Sequence, residues 1–178
     1  MKQFVKSRFL IGAAFLFSAC SGSAPNIQAD AVFLVRHAEK TAEKSDPALT
    51  PEGEARAIAL ADHLEGEGIT HIHSSDTTRT RDTAAPLAQR LDLQVELYDP
   101  RDLPAMAAKL NLTPGRHLVV GHSNTTPQLT ELLGGDGGTP IVEATEYDRL
   151  YIVTMGEGEP VKSYLTRYGA GSVNGAKD

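Results

Sequence analysis

The segment AVFLVRH, residues 31–37, sets the architecture predicted for this chain, because a short and nearly continuous apolar run ends there in two polar residues. A run of this length and composition is typical of a strand buried on both faces of a parallel sheet. In open α/β sheets, ligands bind beyond the carboxyl ends of such strands. Arg36 and His37 therefore mark the predicted functional edge of the sheet.

Strand-like and helix-like segments alternate along the rest of the chain. Thr50 is a typical N-cap and Pro51 favours the first position of the helix that follows. Repeated β-then-α order predicts a three-layer α/β/α sandwich around a mostly parallel sheet. The predicted strands are residues 31–36, 69–73, 93–98, 118–121, 150–155 and 161–167. The predicted helices are residues 51 to 66 or 68, 78–91, 103–110 and 127–133.

The N-terminus is typical of an export signal. Three basic residues precede a short apolar run at residues 9–17, and small residues follow that run. The run is too short to span a bilayer. We therefore expect residues 1–19 to be a signal peptide and the protein to be exported to the periplasmic face or cell envelope.

The only cysteine, Cys20, follows this run in the segment LFSAC, which resembles a bacterial lipobox. Phe17 stands where that motif usually has leucine. Lipidation of Cys20 as the mature N-terminus would hold the protein on a membrane surface, with residues 20–30 as a polar tether. The alternative is ordinary cleavage nearby, which would leave a free thiol or none.

Length and charge limit the remaining possibilities. A chain of 178 residues is ordinarily one domain, which we place at residues 31–168, before a flexible tail at residues 169–178. The formal net charge of −6 argues against a nucleic-acid partner. An anionic substrate would therefore need a locally basic pocket.

Three predicted strand ends carry residues suited to such a pocket, at residues 36–40, 74–84 and 121–124. A phosphate monoester is a dianion, and the planar guanidinium of arginine matches two of its oxygens at once. A neutral imidazole can attack phosphorus and form a covalent intermediate. This set of residues requires no metal ion or other cofactor.

The same segments resemble the signatures of the histidine phosphatase superfamily, which has the phosphoglycerate-mutase-like fold. LVRHAEK (34–40) resembles its Arg-His-Gly/Ala motif, and LTPEGEARA (49–57) resembles its helix start. SSDTTRTRDTA (74–84) and VVGHSN (119–124) are similar to its second arginine segment and its second histidine segment. Four motifs in the family's order make the resemblance specific.

The resemblance implies a role for each matching residue. His37 would be the nucleophile that becomes phosphohistidine, and Arg36 and Arg79 would clamp the phosphate. His122 would donate to the phosphoryl oxygens. The alternatives from sequence are a surface charge at the strand end for Arg36 and a solvated helix residue for Arg79.

The acid that protonates the leaving oxygen is less clearly marked. Many relatives carry a glutamate after the third strand, but YDPRDLPAM (98–106) contains none. Asp102 is the first candidate and Asp99 the second, since a carboxyl group near the leaving oxygen could donate the proton. The alternative is that both cap the following helix, because aspartate favours N-caps. Some short members of the family lack a dedicated acid.

The other histidines have structural interpretations. His63 is predicted on the helix surface and His117 at an exposed strand start. His71 and His73 have i, i+2 spacing that could serve a metal ion, but without a third ligand they are better interpreted as strand-edge residues. Residues 146–149 either line the rim of the site or form a turn.

These features together predict a histidine acid phosphatase-type phosphoric monoester hydrolase that acts on a small phosphorylated substrate. The alternatives are a phosphomutase, a catalytically weak phosphate-binding module of the same fold, and an enzyme that removes phosphate from protein histidine. The sequence defines neither the substrate nor the oligomeric state.

Overall fold

The computed structural model describes residues 29–156 and 159–172. The predicted signal peptide, Cys20 and residues 20–28 of the tether lie outside these ranges, as do residues 173–178. The strands are β1 (Ala29–Arg36), β2 (His71–Ser75), β3 (Val95–Tyr98), β4 (Gly115–Gly121), β5 (Arg149–Thr154) and β6 (Lys162–Arg167). The helices are α1 (Pro51–Leu64), α2 (Thr78–Leu91), α3 (Leu103–Asn111) and α4 (Thr125–Leu132).

The strands of the described residues form one six-stranded sheet in the order β3-β2-β4-β1-β5-β6. β3, β2, β4 and β1 are parallel, whereas β5 and β6 are antiparallel additions at one side. The carboxyl ends of β1, β2 and β4 therefore meet at one edge of the sheet. The predicted α/β class with a mostly parallel sheet is confirmed.

β1 is buried on both faces because helices cover the sheet from both sides. Successive side chains of a strand point to opposite faces. Phe33 packs in the core that contains Leu60 of α1 and other residues of α1 and α2. Leu34 packs on the opposite face, in the core that contains Leu129 of α4 and residues of α3. This is the physical reason for the apolar run, and it confirms the three-layer arrangement.

The start of α1 holds the loop that follows β1. The Thr50 side chain accepts the main-chain N–H of Gly53 at 3.2 Å, and the Thr50 N–H donates to the Glu39 carbonyl at 3.0 Å. A Cβ atom at Gly53 would lie 2.1 Å from that carbonyl oxygen, so only glycine fits there. The buried Arg56 adds an ion pair to the Glu39 carboxylate at 2.7 Å. The loop after His37 is therefore fixed in place.

Several element boundaries differ from the sequence predictions. β4 begins at Gly115 rather than at residue 118, and α4 begins at Thr125 rather than at residue 127. Residues 169–172, predicted as part of a loose tail, are instead anchored, since Arg56 donates to the carbonyls of Tyr168 and Ala170. None of the helices in the described part of the chain has the length and apolar character needed to cross a bilayer.

Candidate active site

His37 lies directly after β1, with only 3% of its surface exposed. Its main-chain N–H donates to the Gly121 carbonyl at the end of β4 at 2.9 Å. Its Nδ1 atom lies 2.8 Å from the carbonyl oxygen of Ala38, which can only accept a hydrogen bond. Nδ1 therefore carries the ring proton, and Nε2 presents an unshared electron pair.

The surroundings of His37 keep its ring neutral. Burial lowers the pKa of His37 to about 3; the Ala38 carbonyl opposes the change, and the charges of Arg36 and Arg79 add to it. Protonation of the ring would place a third cation beside two arginines. The imidazole is consequently a free base, and so nucleophilic, at neutral pH.

Arg36 is 1% exposed, so it is not the surface charge considered from the sequence. Its Nη1 donates to the Glu146 carbonyl at 2.9 Å, and its guanidinium carbon lies 4.0 Å from the centre of the Tyr147 ring. Its Nε and Nη2 atoms are buried and have no hydrogen-bond partner among the described residues. A buried donor pair of this kind matches two oxygens of a tetrahedral anion.

Arg79 lies in the first turn of α2 and faces His122 rather than solvent. Its Nη2 atom is 3.4 Å from Nδ1 of His122, and its Nε atom is buried without a hydrogen-bond partner within the described residues. It adds a second guanidinium to the same pocket as Arg36, as its effect on the pKa of His37 also shows.

His122 follows β4 and lies beside the nucleophile, with 5.6 Å between the centres of the two rings. The Ser75 hydroxyl donates to Thr80, so it accepts the Nε2 proton of His122 at 2.9 Å. Burial lowers the pKa of His122 to about 4, and the charges of Arg79 and Arg36 contribute. Both rings are therefore neutral in the free protein, and a bound dianion would raise the pKa of each.

The predicted acid does not join this group. The Asp102 carboxylate accepts the main-chain N–H of Ala105 at 3.1 Å and caps α3. Asp99 is paired with Arg101 at 2.8 Å. Within the described residues neither carboxylate contacts Arg36, His37, Arg79 or His122, and the capping alternative describes Asp102 correctly.

The turn before β5 contributes Tyr147, from the segment 146–149 that the sequence offered as a rim of the site or a turn, and Glu143, which the sequence did not single out. Tyr147 covers Arg36 and lies 6.1 Å from the His37 ring, centre to centre. Glu143, in the same turn, is exposed. Its charge opposes the lowering of the pKa of both Arg36 and His122, which burial causes. In the sequence, the charged run at residues 146–149 next to a buried strand was the one feature that indicated a contribution of this turn to the site.

Three other histidines stack at the opposite end of the sheet, and we call His71, His73 and His117 the histidine stack. His73 and His117 are fully buried, so the predictions of a strand-edge His73 and an exposed His117 are wrong. The rings of His71 and His117 lie 4.5 Å apart, because the two residues are paired across β2 and β4. His63 is exposed, as predicted. No group of three or more His, Cys, Asp or Glu in the described ranges could hold a metal ion.

The sequence model of the histidine phosphatase superfamily (branch 1) matches residues 32–100, which include Arg36, His37 and Arg79. This stretch of the chain is similar to the histidine phosphatase superfamily. A curated relative named "Probable phosphoglycerate mutase GpmB", from Escherichia fergusonii, is 46% identical over 77 residues. The protein of that name from Yersinia enterocolitica is 42% identical over 77 residues. Each match covers 39% of this chain and 35% of the relative, so the chain spans about a third of these relatives' length.

Solved structures of histidine phosphatases share the fold. The protein histidine phosphatase SixA, complexed with tungstate, has a TM-score of 0.58 at 21% identity, covering 77% of this chain and 96% of SixA. The mycobacterial glucosyl-3-phosphoglycerate phosphatase with inorganic phosphate has a TM-score of 0.55 at 16% identity, covering 80% of this chain and 98% of that one. These likenesses concern the fold alone.

Proposed function

We propose that this chain is a member of the histidine phosphatase superfamily and a phosphomonoester hydrolase that works through a phosphohistidine at His37. One observation carries the proposal. The Nε2 lone pair of a neutral, buried His37 lies beside Arg36 and Arg79, and each of these arginines keeps at least one buried donor without a partner among the described residues. A nucleophile beside converging cationic donors suits attack on a phosphoryl group.

The reaction takes two steps. In the first, the Nε2 electron pair of His37 forms a bond to phosphorus while the ester P–O bond breaks, and the leaving oxygen takes a proton. In the second, water attacks phosphorus and gives a proton to the carboxylate that donated in the first step, the P–N bond breaks, and phosphate is released. Arg36 and Arg79 balance the charge of the oxygens in both steps. His122, whose pKa rises beside the dianion, donates from Nδ1 to a phosphoryl oxygen.

The leaving-group proton comes from Glu143 in this proposal, in place of Asp102. Asp102 is committed to the N-cap of α3, where its carboxylate accepts the main-chain N–H of Ala105. Glu143 is exposed, and its charge acts on both Arg36 and His122. An exposed carboxyl at this rim can take up a proton from solvent and pass it to the leaving oxygen.

The comparisons favour phosphate chemistry without naming the substrate. One structural neighbour holds tungstate and another holds inorganic phosphate, so the same fold accepts tetrahedral oxyanions in those proteins. The curated relatives are named mutases, which makes a phosphomutase the second candidate. The two differ in the acceptor of the second step, which is water for a hydrolase and a substrate hydroxyl for a mutase.

The direct test is release of phosphate from an aryl phosphate by purified residues 21–178. We expect turnover by the wild type and loss of roughly 10⁴-fold or more in His37→Ala, since the nucleophile itself is removed. His63→Ala, at an exposed histidine, is the matched control and should keep full activity. Wild-type protein that binds phosphate and never releases it from esters would instead be a binding module. Transfer of the phosphoryl group to an added alcohol in preference to water would indicate a mutase.

We further propose that the protein is exported and held at the cell envelope by lipid on Cys20, as the N-terminal sequence predicts. Expression of the full chain and of Cys20→Ala, followed by membrane fractionation, tests this. The wild type should sediment with membranes and Cys20→Ala should be released. Equal distribution of both would contradict lipidation.

A further inference from the structure

Arg36 is held from two sides by the turn at residues 142–148, which we call the anchor turn. The Glu146 carbonyl accepts Nη1 of Arg36 at 2.9 Å. The ring of Tyr147 lies 4.0 Å from the guanidinium carbon, within the range of a cation–π contact. These contacts leave Nε and Nη2 as the donors without a partner among the described residues.

The anchor turn is itself fixed by a buried charge network. The Glu146 carboxylate is 5% exposed and accepts two hydrogen bonds from Arg149, at 2.7 and 2.8 Å. It also accepts the main-chain N–H of Val142 at 3.1 Å, which closes the turn. Arg167 of β6 adds a further ion pair at 3.0 Å. The Glu146 carbonyl and the Tyr147 ring are therefore held rigidly against the sheet.

The segment after β6 holds the main chain of Tyr147 in place. The Tyr147 main-chain N–H donates to the Ser172 hydroxyl at 2.9 Å, and the Ser172 N–H donates to the Asp148 carboxylate at 3.0 Å. Ser172 thus bridges two neighbouring residues of the anchor turn. The position of the Tyr147 ring depends on a segment more than twenty residues further along the chain.

We propose that Tyr147 is a positioning residue that fixes the plane of the Arg36 guanidinium for binding of a phosphoryl group. An arginine held by one carbonyl can still rotate about that hydrogen bond. The aromatic face removes this rotation, so that Nε and Nη2 meet two oxygens of the anion together. The inference rests on the phosphate site of the proposed function, but it requires only that the site binds phosphate.

Calorimetric titration with inorganic phosphate tests the proposal without any need for turnover. Tyr147→Leu removes the aromatic face and should weaken phosphate binding about 10-fold, whereas Tyr147→Phe keeps the face and should restore affinity to within about 3-fold of the wild type. Tyr164→Leu is the matched control, since Tyr164 is an exposed tyrosine on β6 that pairs with Ile152 of β5. It should bind phosphate like the wild type.

The dissociation constant separates positioning from simple loss of folded protein. A purely structural role would lower the melting temperature and the binding stoichiometry while the folded molecules kept the wild-type dissociation constant. If Tyr147→Leu does not fold, Ser172→Ala replaces it, because it releases the Tyr147 backbone and should weaken phosphate binding about 3-fold.

Two results would overturn the proposal. One is wild-type affinity in Tyr147→Leu, or in Ser172→Ala where that variant stands in for it, while Arg36→Ala loses phosphate binding. The other is a failure of the wild type to bind phosphate at all. Phosphate binding without ester hydrolysis would contradict the proposed hydrolase. The role of Tyr147 would still be tested in that case, because its variants are compared by their affinity for phosphate.

Discussion

Two groups of histidines lie at opposite ends of the sheet, and each includes a buried histidine, but the groups that face their free nitrogen atoms differ. In the histidine stack, His117 donates Nε2–H to the Thr113 carbonyl and accepts Nε2–H from His73, each at 3.0 Å. The remaining lone pair, on Nδ1 of His73, faces the Glu96 carboxylate at 3.8 Å. At the other end, the lone pair of His37 shares its pocket with two arginines.

The pKa values of the two groups therefore do not separate function from structure. Burial lowers the pKa of His37 and that of His73 to about 3 each. A shifted pKa marks a functional site only together with the chemistry around it. Beside His37 an incoming dianion meets cationic donors that lack a partner among the described residues, and beside His73 it would meet a carboxylate. The cations beside His37 favour the carboxyl end of the sheet as the proposed phosphate site.

The largest expected effect after loss of the nucleophile comes from Arg36. Arg36→Ala removes two buried donors from the anion site and should lower kcat/KM for an aryl phosphate by about 10³-fold. His71→Ala, which removes one ring of the histidine stack, should leave kcat/KM within about 3-fold of the wild type. Comparable losses in both variants would abolish the distinction between the two ends of the sheet.

The next effect concerns the leaving group. Glu143→Gln should slow hydrolysis of an alkyl phosphate about 100-fold and that of a nitrophenyl phosphate far less, because a good leaving group needs no proton. Asp102→Asn is the matched variant, and since asparagine also caps helices well, it should leave both rates nearly unchanged. A selective loss on the alkyl ester in Asp102→Asn would restore the sequence-based assignment of the acid.

The pH profile of kcat/KM sharpens the description of His37. The free-protein pKa of about 3 means that the nucleophile stays unprotonated well into the acidic range. If the nucleophilic histidine had an ordinary pKa, kcat/KM would fall about 25-fold between pH 7 and pH 5. At this site kcat/KM should fall hardly at all over that range, once ionisation of the substrate is corrected for. A decline with an apparent pKa near that of free histidine would contradict the buried, arginine-flanked site.

The smallest effect is on acid stability. The pKa of His73 is lower in the folded protein than in the unfolded chain, mainly through burial and against the opposing charge of Glu96. Its contribution to stability is therefore present above the unfolded pKa and is lost as the pH falls towards the folded value. His73→Gln keeps a donor for His117 and cannot titrate, so ΔG of unfolding should fall less between about pH 6 and pH 4, by about 1.4 kcal/mol per pH unit. Urea titrations of both proteins at several pH values measure the free energy of unfolding. An identical pH dependence in the wild type and in His73→Gln would contradict this effect of His73.

The fold and the first part of the site could be predicted because they depend on local sequence. The apolar run before Arg36 requires a strand covered on both faces, and Thr50 with Pro51 starts a helix whatever the rest of the chain does. The four motifs then indicate which residues gather at the carboxyl edge of the sheet. These features need no knowledge of distant contacts.

The anchor turn and the histidine stack could not be predicted in this way. Glu146 binds Arg36 through its main-chain carbonyl across 110 positions, and any residue type has such a carbonyl. The burial of His73 and His117 follows from the register of β2 against β4, which places His71 opposite His117. The position of Asp102 after a strand made it a candidate acid. Its carboxylate instead accepts the main-chain N–H of Ala105 and caps α3.

The most direct test of the account is to trap the covalent intermediate. Wild-type protein mixed rapidly with an aryl phosphate and quenched under alkaline conditions should carry an acid-labile phosphoryl group, which peptide mass spectrometry should locate on His37. His37→Ala should carry none under the same conditions. Steady turnover without a trapped group, or a phosphoryl group found on His122 or any other residue, would contradict the central claim.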